Sequence, residues 1–231
     1  MIGFQEYLTE GKGKNLHLEH LEDEVLNGGV NGTRSAINFL RSLRDMLAGN
    51  AQSSSMITTK WDGAPAISAG YHPNGKFFVS YKSMKKLAFT QGDVDEHYSG
   101  GPLHQKIGAL LQYLPKVWAG KSILQGDVLW TDDAAKQIKT IDGIKYLTFT
   151  PNTITYAVPE DSDLAGKINS AAVGVVFHTT YTPAAGSDNL EDLDVAFGAD
   201  VSGFKNDPDC WCVNADFTDC LLYTSPSPRD S

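Results

Sequence analysis

The chain has 231 residues, 41% of them hydrophobic and 20% charged, so it is long enough to bury a core and too apolar to be disordered. Its formal net charge of -9 argues against a general electrostatic grip on nucleic acid, although a local basic groove around Lys82, Lys85 and Lys86 is compatible with it. No apolar run reaches the length of a membrane span and the N-terminus is unlike a signal peptide, so we expect a cytoplasmic protein.

The N-terminal segment, residues 1–50, is predicted to be helical. His17 and His20 lie there among acidic residues, but their spacing is not that of a zinc protease motif, and we interpret them as part of a solvated segment. From Thr33 to Leu47 apolar residues recur every three or four positions. This spacing predicts an amphipathic helix that packs on the core and is capped by Thr33.

The predicted core, residues 51–219, opens with a β-branched run that ends at Lys60 and is followed by Asp62 and Gly63. Because β-branched residues favour a strand and Asp-Gly favours a turn, we expect Lys60 to project from a strand end into a cleft. Two strands joined by an Asn-Gly hairpin turn follow. The second ends at Lys82, whose ammonium either contacts phosphate or is solvated.

Beyond Lys82 the sequence predicts further helices and strands. In chain order they are a loop over 91–101, a helix over 102–118, a strand over 122–130, a polar segment over 131–143, a β-rich segment over 144–158, a helix begun by Ser162, a strand over 173–178 and an acidic loop region over 183–209. Asp127 lies between apolar neighbours in the strand over 122–130. Such an acid is either buried with a partner or directed into a cleft.

The C-terminal tail, residues 220–231, is unlike the rest of the chain. It reads Cys-Leu-Leu-Tyr-Thr-Ser-Pro-Ser-Pro-Arg-Asp-Ser and resembles the in-frame translation of a transposon-end sequencing adapter, a contaminant of metagenome-derived reading frames. We therefore leave it out of the fold prediction. The genuine protein is expected to continue beyond Asp219, which would make this chain a C-terminally truncated fragment.

Lys60-Trp61-Asp62-Gly63 resembles the K-x-D-G signature of the covalent nucleotidyltransferase superfamily, which includes ATP-dependent DNA ligases, RNA ligases and mRNA-capping guanylyltransferases. A chance match to so short a motif is common, so its context matters. Across residues 1–219 the chain also resembles a family of tailed-phage proteins.

Two further segments are similar to motifs of the same superfamily. The stretch 124–129 resembles the third motif, an apolar strand with Gly and Glu, with Asp127 at the position that is usually Glu. The stretch 173–177 resembles the fourth, with Val173 where the superfamily has an acidic residue. A fifth motif, a Lys-x-Lys pair that contacts phosphates, is not visible before the tail.

The resemblance implies an α+β fold in which antiparallel sheets form a nucleotide cleft and helices pack on their outer faces. It also implies that Lys60 attacks the α-phosphate of ATP or GTP, that pyrophosphate leaves, and that the nucleotide is then transferred to an RNA or DNA end. A free lysine has a pKa of about 10.4. Such a site therefore has to favour the neutral amine through burial, neighbouring cations and bound Mg²⁺.

The same resemblance assigns a role to each of the other candidate residues. In chain order, Asp62 would position the lysine and nucleotide, Gly63 would let the backbone approach the nucleotide, Lys82 would contact phosphate, Asp127 would contact the ribose or Mg²⁺, Phe149 with Tyr156 behind it would stack on the base, and Val175 would line the nucleotide site.

Two alternatives stay open at this point. One is a nucleotide-binding or structural phage protein that keeps the fold without turnover. The other is a metal-dependent hydrolase that uses Asp127 with His17 and His20. The predicted partners are a nucleotide and nucleic-acid ends, and no membrane; the sequence indicates no oligomeric state.

Overall fold

The computed structural model describes residues 21–47, 59–131, 135–184, 189–190, 193–215 and 223–224. The chain separates into two compact units, residues 1–57 and 58–231. Over the described residues the helices are α1 (Leu21–Leu47), α2 (Gln91–His97), α3 (Pro102–Val117) and α4 (Asp163–Ser170). The strands are β1 (Ala66–Tyr71), β2 (Phe77–Tyr81), β3 (Leu87–Ala88), β4 (Ile123–Trp130), β5 (Lys136–Ile141), β6 (Ile144–Phe149), β7 (Tyr156–Pro159), β8 (Val173–Pro183), β9 (Leu193–Phe197), β10 (Cys210–Asn214) and β11 (Tyr223–Thr224). The predicted α+β class is confirmed.

The N-terminal unit contains α1, which begins earlier than predicted. Three acidic residues in its first turn favour the positive end of the helix dipole, and the helix bends at Gly29, whose φ is 53°. Thr33 lies inside the helix, where its hydroxyl donates to the Gly29 carbonyl, so its prediction as a cap is wrong. The predicted core-packing face is also wrong in part, because Ile37 and Leu40 are 43% and 50% exposed.

The larger unit is built on a seven-stranded sheet with the order β10-β8-β4-β1-β2-β3. β8 pairs with β10 along its first half and with β9 along its second half. Every pairing in this sheet is antiparallel except that of β10 with β8. The predicted hairpin between β1 and β2 is confirmed, with Gly75 at a φ of 82° and the Asn74 side chain accepting from the Lys76 amide.

The second sheet has the order β11-β7-β6-β5. Its buried side chains, among them Leu147 and Phe149, form an apolar cluster with Trp130 and with Ile168 of α4. β5 lies in the segment that is predicted to be polar. This strand is exposed along nearly its whole length, so its sequence needs no alternation of apolar and polar residues that would predict a strand. β11 belongs to the tail and pairs through its backbone with β7; the rest of the tail lies outside the described residues.

Helices α2 and α3 lie on the main sheet. α3 packs through fully or almost fully buried residues three and four positions apart, namely Ile107, Leu110, Leu114 and Val117. α2 replaces the predicted loop over 91–101; it buries only Val94, so its pattern is polar, and a capping box between Thr90 and Asp93 starts it. No helix of the described part is long and apolar enough to cross a membrane.

Several other predicted elements are confirmed. The helix over 102–118, the strand over 122–130 and the strand over 173–178 correspond to α3, β4 and β8. Ser162 caps α4 and accepts a hydrogen bond from the Ala165 amide.

β9 differs from the prediction, because it is a strand that lies within the predicted acidic loop region over 183–209.

The contact between the central strands β4 and β8 depends on Gly126. A Cβ at this position would lie 2.3 Å from the carbonyl oxygen of Val176 and 2.9 Å from the Cα of Phe177. Both are backbone atoms of a strand whose neighbours are packed on either side, so they have little room to retreat. Gly126 thereby sets how closely the following residue, Asp127, lies against β8.

Gly126→Ala is expected to lower the free energy of unfolding by about 2 to 3 kcal/mol, because its methyl group forces two central strands apart. Urea denaturation followed by tryptophan fluorescence measures the change. Gly166→Ala is the matched control: nothing lies within 4 Å of its new Cβ in α4. The control should leave stability unchanged or raise it by up to about 1 kcal/mol, and equal losses in the two variants would contradict the prediction.

Candidate functional site

The segment that carries Lys60 crosses the end of the main sheet as an irregular chain. Residues 59–65 are in neither helix nor strand, so the predicted strand is wrong where it reaches the described residues. The backbone is held by single hydrogen bonds instead: the Thr59 amide donates to the Ala215 carbonyl, and the Ala64 amide donates to the Val128 carbonyl at 2.9 Å. The first regular strand of this unit, β1, begins only at Ala66.

Gly63 brings this segment against β4. A Cβ at Gly63 would lie 2.5 Å from the Cβ of Asp127 and 3.0 Å from the Val128 carbonyl oxygen. No larger residue fits there without moving β4. The predicted close approach at Gly63 is therefore an approach to the protein's own strand, and it brings the K-x-D-G segment into contact with Asp127.

Asp127 and Lys60 form the charged centre of the site. The Lys60 side chain is exposed and Asp127 is 21% exposed. Burial raises the pKa of Asp127 to about 6, against the opposing effect of the Lys60 ammonium and with the help of the Asp62 charge. The Nε2 atom of His178 lies 3.9 Å from the Asp127 carboxylate, and burial lowers the pKa of this histidine.

The Asp62 carboxylate joins the segment to the loop between β6 and β7. Its Oδ1 accepts from Asn152 Nδ2 at 2.9 Å, and its Oδ2 accepts from Thr153 N, Thr153 Oγ1 and Ile154 N at 2.7 Å each. Partial burial raises the pKa of Asp62, but these hydrogen bonds outweigh it and bring the pKa down to about 2. Both oxygens are engaged, so Asp62 holds the backbone of the segment in place.

Trp61 anchors the segment from the other side. Its ring stacks on Tyr156 with the centroids 4.9 Å apart, and Trp211 meets it edge-on. The hydroxyl of Tyr156 accepts a hydrogen bond from the Asp62 amide at 2.7 Å. Tyr156 therefore supports the segment through both its ring and its hydroxyl.

Two further lysines lie close to this part of the chain. The Lys82 amide donates to the Ala66 carbonyl at 3.2 Å, which places the Lys82 backbone beside the start of β1, and its Nζ lies 5.9 Å from the centroid of the Tyr81 ring. Lys106, on α3, donates from Nζ to the Ala64 carbonyl at 2.7 Å. Within the described residues no carboxylate forms an ion pair with Lys60, Lys82 or Lys106.

Not every candidate residue comes to this site. Phe149 is 1% exposed and is stacked on Tyr156 at 5.3 Å with Trp130 edge-on to it, so neither face is free to stack on a base. Val175 is fully buried in the core of the main sheet, as is Val173. Both valines belong to the apolar cluster that the buried residues of α3 complete on this face of the main sheet, and this explains their burial.

Metal ligands are scarce. Over the described residues no group of three or more His, Cys, Asp or Glu side chains is arranged to hold a metal ion. Asp62 has both oxygens engaged, which leaves Asp127 as the nearby carboxylate. His17 and His20, the other ligands of the hydrolase hypothesis, lie outside the described residues.

Some residues of the site have no motif that would single them out. Asn152 and Thr153 look like ordinary turn residues, and only their position opposite Asp62 gives them a role. Lys106 is a lysine within an amphipathic pattern. A signal for Lys106 does exist: it is three residues after Leu103 and four before Leu110, so it falls on the apolar stripe of α3.

A family model described as "Family of unknown function (DUF6267)" matches residues 15–227, most of the chain. No curated protein and no solved structure matches this chain. The matched range runs past Asp219 into the segment that we interpret as adapter-derived, and that interpretation stays a prediction.

Asp62→Asn is expected to lower the free energy of unfolding by about 1 to 2 kcal/mol at pH 7, because hydrogen bonds to a charged acceptor are lost or weakened. The folded-state pKa of about 2 is below the ordinary 3.8, so the carboxylate contributes its full stabilisation above pH 4 and loses it as the pH falls towards 2. Urea denaturation at pH 7, 4 and 3 measures the difference between wild type and variant.

Asp161→Asn, in an exposed turn, is the control. The stability gap between wild type and Asp62→Asn should narrow between pH 4 and pH 3, whereas Asp161→Asn should follow the wild type at each pH. A gap that stays constant over this range would contradict the role given to the Asp62 charge.

Proposed function

The chain belongs to a family of unknown function, DUF6267, and from its own residues we propose that it is a nucleotidyltransferase of the polynucleotide ligase type. It would form a covalent lysyl-nucleotide at Lys60 from ATP or GTP and transfer the nucleotide to an RNA or DNA end. The observation that carries the proposal is the placement of Lys60. Its exposed ammonium lies on a braced segment beside Asp127 and has no ion-pair partner among the described residues.

Bracing of the segment supports a nucleophilic role. A nucleophile is effective when its backbone holds it in one geometry, because the entropy of positioning is then already lost before the reaction. Asp62 is held by four hydrogen bonds, and Gly63 is held against β4. Asp62 and Gly63 are therefore fixed in place, while the Lys60 side chain is exposed.

The reaction balances with Lys60 as the only covalent participant from the protein. The ammonium first gives up a proton, and the neutral amine attacks the α-phosphorus. A nitrogen–phosphorus bond forms while the bond to the bridging oxygen breaks, and pyrophosphate leaves with the electron pair. The nitrogen loses a second proton, which leaves a phosphoramidate. A phosphate oxygen at a nucleic-acid end then attacks this phosphorus, and the amine leaves and regains its protons.

Charged groups of the chain would assist the substrate. Lys82, whose backbone lies beside the start of β1, would contact a phosphate of the nucleotide. Asp127 would provide one carboxylate ligand to Mg²⁺ that arrives with the triphosphate, and such an ion neutralises charge on the leaving pyrophosphate. One or two protein carboxylates is the usual number for nucleotide-bound Mg²⁺.

The rival function is that of a nucleotide-binding or structural phage protein that keeps the fold without turnover. Val173, fully buried, stands where the resemblance calls for an acid, and β10 contains no lysine. A site that lacks these groups but keeps Lys60, Lys82 and Asp127 has the charges for binding a nucleotide. The two functions differ in whether a covalent bond forms.

Lys60→Arg is expected to abolish covalent labelling and keep nucleotide binding, because arginine preserves the positive charge and is not deprotonated in proteins. The purified chain is incubated with Mg²⁺ and α-labelled ATP or GTP, denatured, and tested for retained label. Binding to the native protein is followed by calorimetry. Lys76→Arg, on the exposed β1–β2 hairpin, is the control and should label like the wild type.

Label on the wild type that maps to Lys60 supports the nucleotidyltransferase. Binding in both proteins without label on either supports the rival function. Failure of the wild type both to bind and to become labelled with either nucleotide would falsify the two together.

A further inference from the structure

We propose that Lys106 binds the pyrophosphate portion of the nucleoside triphosphate, at the far end of the K-x-D-G segment from Lys60. This inference rests on the proposed function and adds to it a substrate contact on α3. With Lys82, the site would then have two lysines that contact phosphate, and no sequence motif assigns this role to Lys106.

The position of Lys106 is fixed by the packing of α3. Leu103 and Leu110, which lie on the same stripe of the helix, pack against the core of the main sheet. The aliphatic stem of Lys106 therefore runs along an apolar surface and its head reaches the edge of that surface, where Nζ donates to the Ala64 carbonyl at 2.7 Å. This hydrogen bond brings the ammonium to the segment that carries the nucleophile.

The charge of Lys106 is left uncompensated. No carboxylate of the described residues pairs with it, and burial alone lowers the pKa of its ammonium. On the same helix, exposed Lys116 has a partner, the Asp209 carboxylate at 2.9 Å. Partly buried charges are normally paired, so a lysine of this kind marks a place where an anion from outside the chain is stabilised.

Lys106 also has hydrogen-bond donors available for a ligand. An ammonium has three hydrogen-bond donors, and the Ala64 carbonyl uses one of them. Two are left for phosphate oxygens, and hydrogen bonds between charged partners are about twice as strong as neutral ones. The Ala64 carbonyl meanwhile orients the ammonium before the ligand arrives.

The geometry of phosphoryl transfer assigns the phosphates. The attacking and leaving atoms lie roughly in line on opposite sides of the α-phosphorus, so the pyrophosphate points away from Lys60. The Lys106 ammonium contacts the chain at Ala64, four residues beyond Lys60. A triphosphate with its α-phosphorus at Lys60 and its remaining phosphates directed towards Ala64 would reach the Lys106 ammonium.

If Lys106 served only to hold the Ala64 carbonyl through its hydrogen bond, different results would be expected than if it contacted phosphate. Lys106→Gln keeps an N–H donor for that carbonyl and removes the charge, whereas Lys106→Arg keeps the charge. The full chain and both variants are titrated calorimetrically with inorganic pyrophosphate and with AMP, each in the presence of Mg²⁺. Lys76→Gln, which removes the same charge from the β1–β2 hairpin, is the control.

Lys106→Gln should bind pyrophosphate about tenfold more weakly than the wild type and bind AMP equally well. Lys106→Arg should keep most of the pyrophosphate affinity, and Lys76→Gln all of it. Unchanged pyrophosphate affinity in Lys106→Gln, or an equal loss for both ligands, overturns the inference. So does a wild type that does not bind pyrophosphate.

A measurement on the wild type keeps the inference testable if Lys106→Gln does not fold. Pyrophosphate should slow the acetylation of Lys106 and leave that of Lys76 unchanged, as measured by mass spectrometry; equal rates with and without pyrophosphate overturn it. The fate of the proposed function is separate. If pyrophosphate binding depends on Lys106 but Lys60 is not labelled, the proposed transferase function is wrong and the anion site at Lys106 is supported. If Lys60 is labelled but substitution of Lys106 leaves pyrophosphate binding unchanged, the transferase function is supported and the anion site is wrong.

Discussion

The four hydrogen bonds to the Asp62 carboxylate are the interaction on which the site depends. They join a segment without regular structure to the loop between β6 and β7, and so connect the two sheets of the larger unit. A carboxylate is suited to this because it is an acceptor only and can satisfy several donors at once, including backbone amides that would otherwise lack partners. Tyr156 adds a fifth contact through the Asp62 amide. Lys60 therefore lies on a backbone whose conformation is set by contacts distant in sequence.

Two glycines bring the charged groups together at this point. Gly126 lets β4 approach β8, and Gly63 lets the irregular segment approach β4, so that Asp127 is enclosed from both sides. The enclosure has an electrostatic cost, visible in the raised pKa of Asp127, and the Lys60 ammonium offsets part of it. A nucleotide that brings a cation with it would offset more. The same close packing that makes β4 and β8 a stable pair thus leaves a carboxylate in need of positive charge.

The sequence predicts the elements whose apolar residues recur with a clear period, such as α3, β4 and β8, and it places Lys60, Asp62 and Gly63 in one segment. It does not predict β5 or α2, since an exposed strand and a helix with one buried residue have little periodicity. The resemblance assigns Phe149 to the nucleotide base, and only the aromatic cluster around this residue shows that both of its faces are covered. Lys106 is missed because its contact with Ala64 spans 42 positions; its place on the apolar stripe of α3 marks it as unusual but does not identify this contact.

The acidity of the whole chain does not oppose a phosphate-binding site here. The net charge of -9 is a property of the whole chain, whereas at physiological salt charges further away than about 8 Å are largely screened. Local pairing decides the outcome, and no carboxylate of the described residues forms an ion pair with Lys60, Lys82 or Lys106. Three cations suit the few phosphates of one nucleotide. An extended duplex presents a charge about every 1.7 Å along its axis and requires a longer basic track, which is why the proposed partners are a nucleotide and a nucleic-acid end and not a continuous duplex.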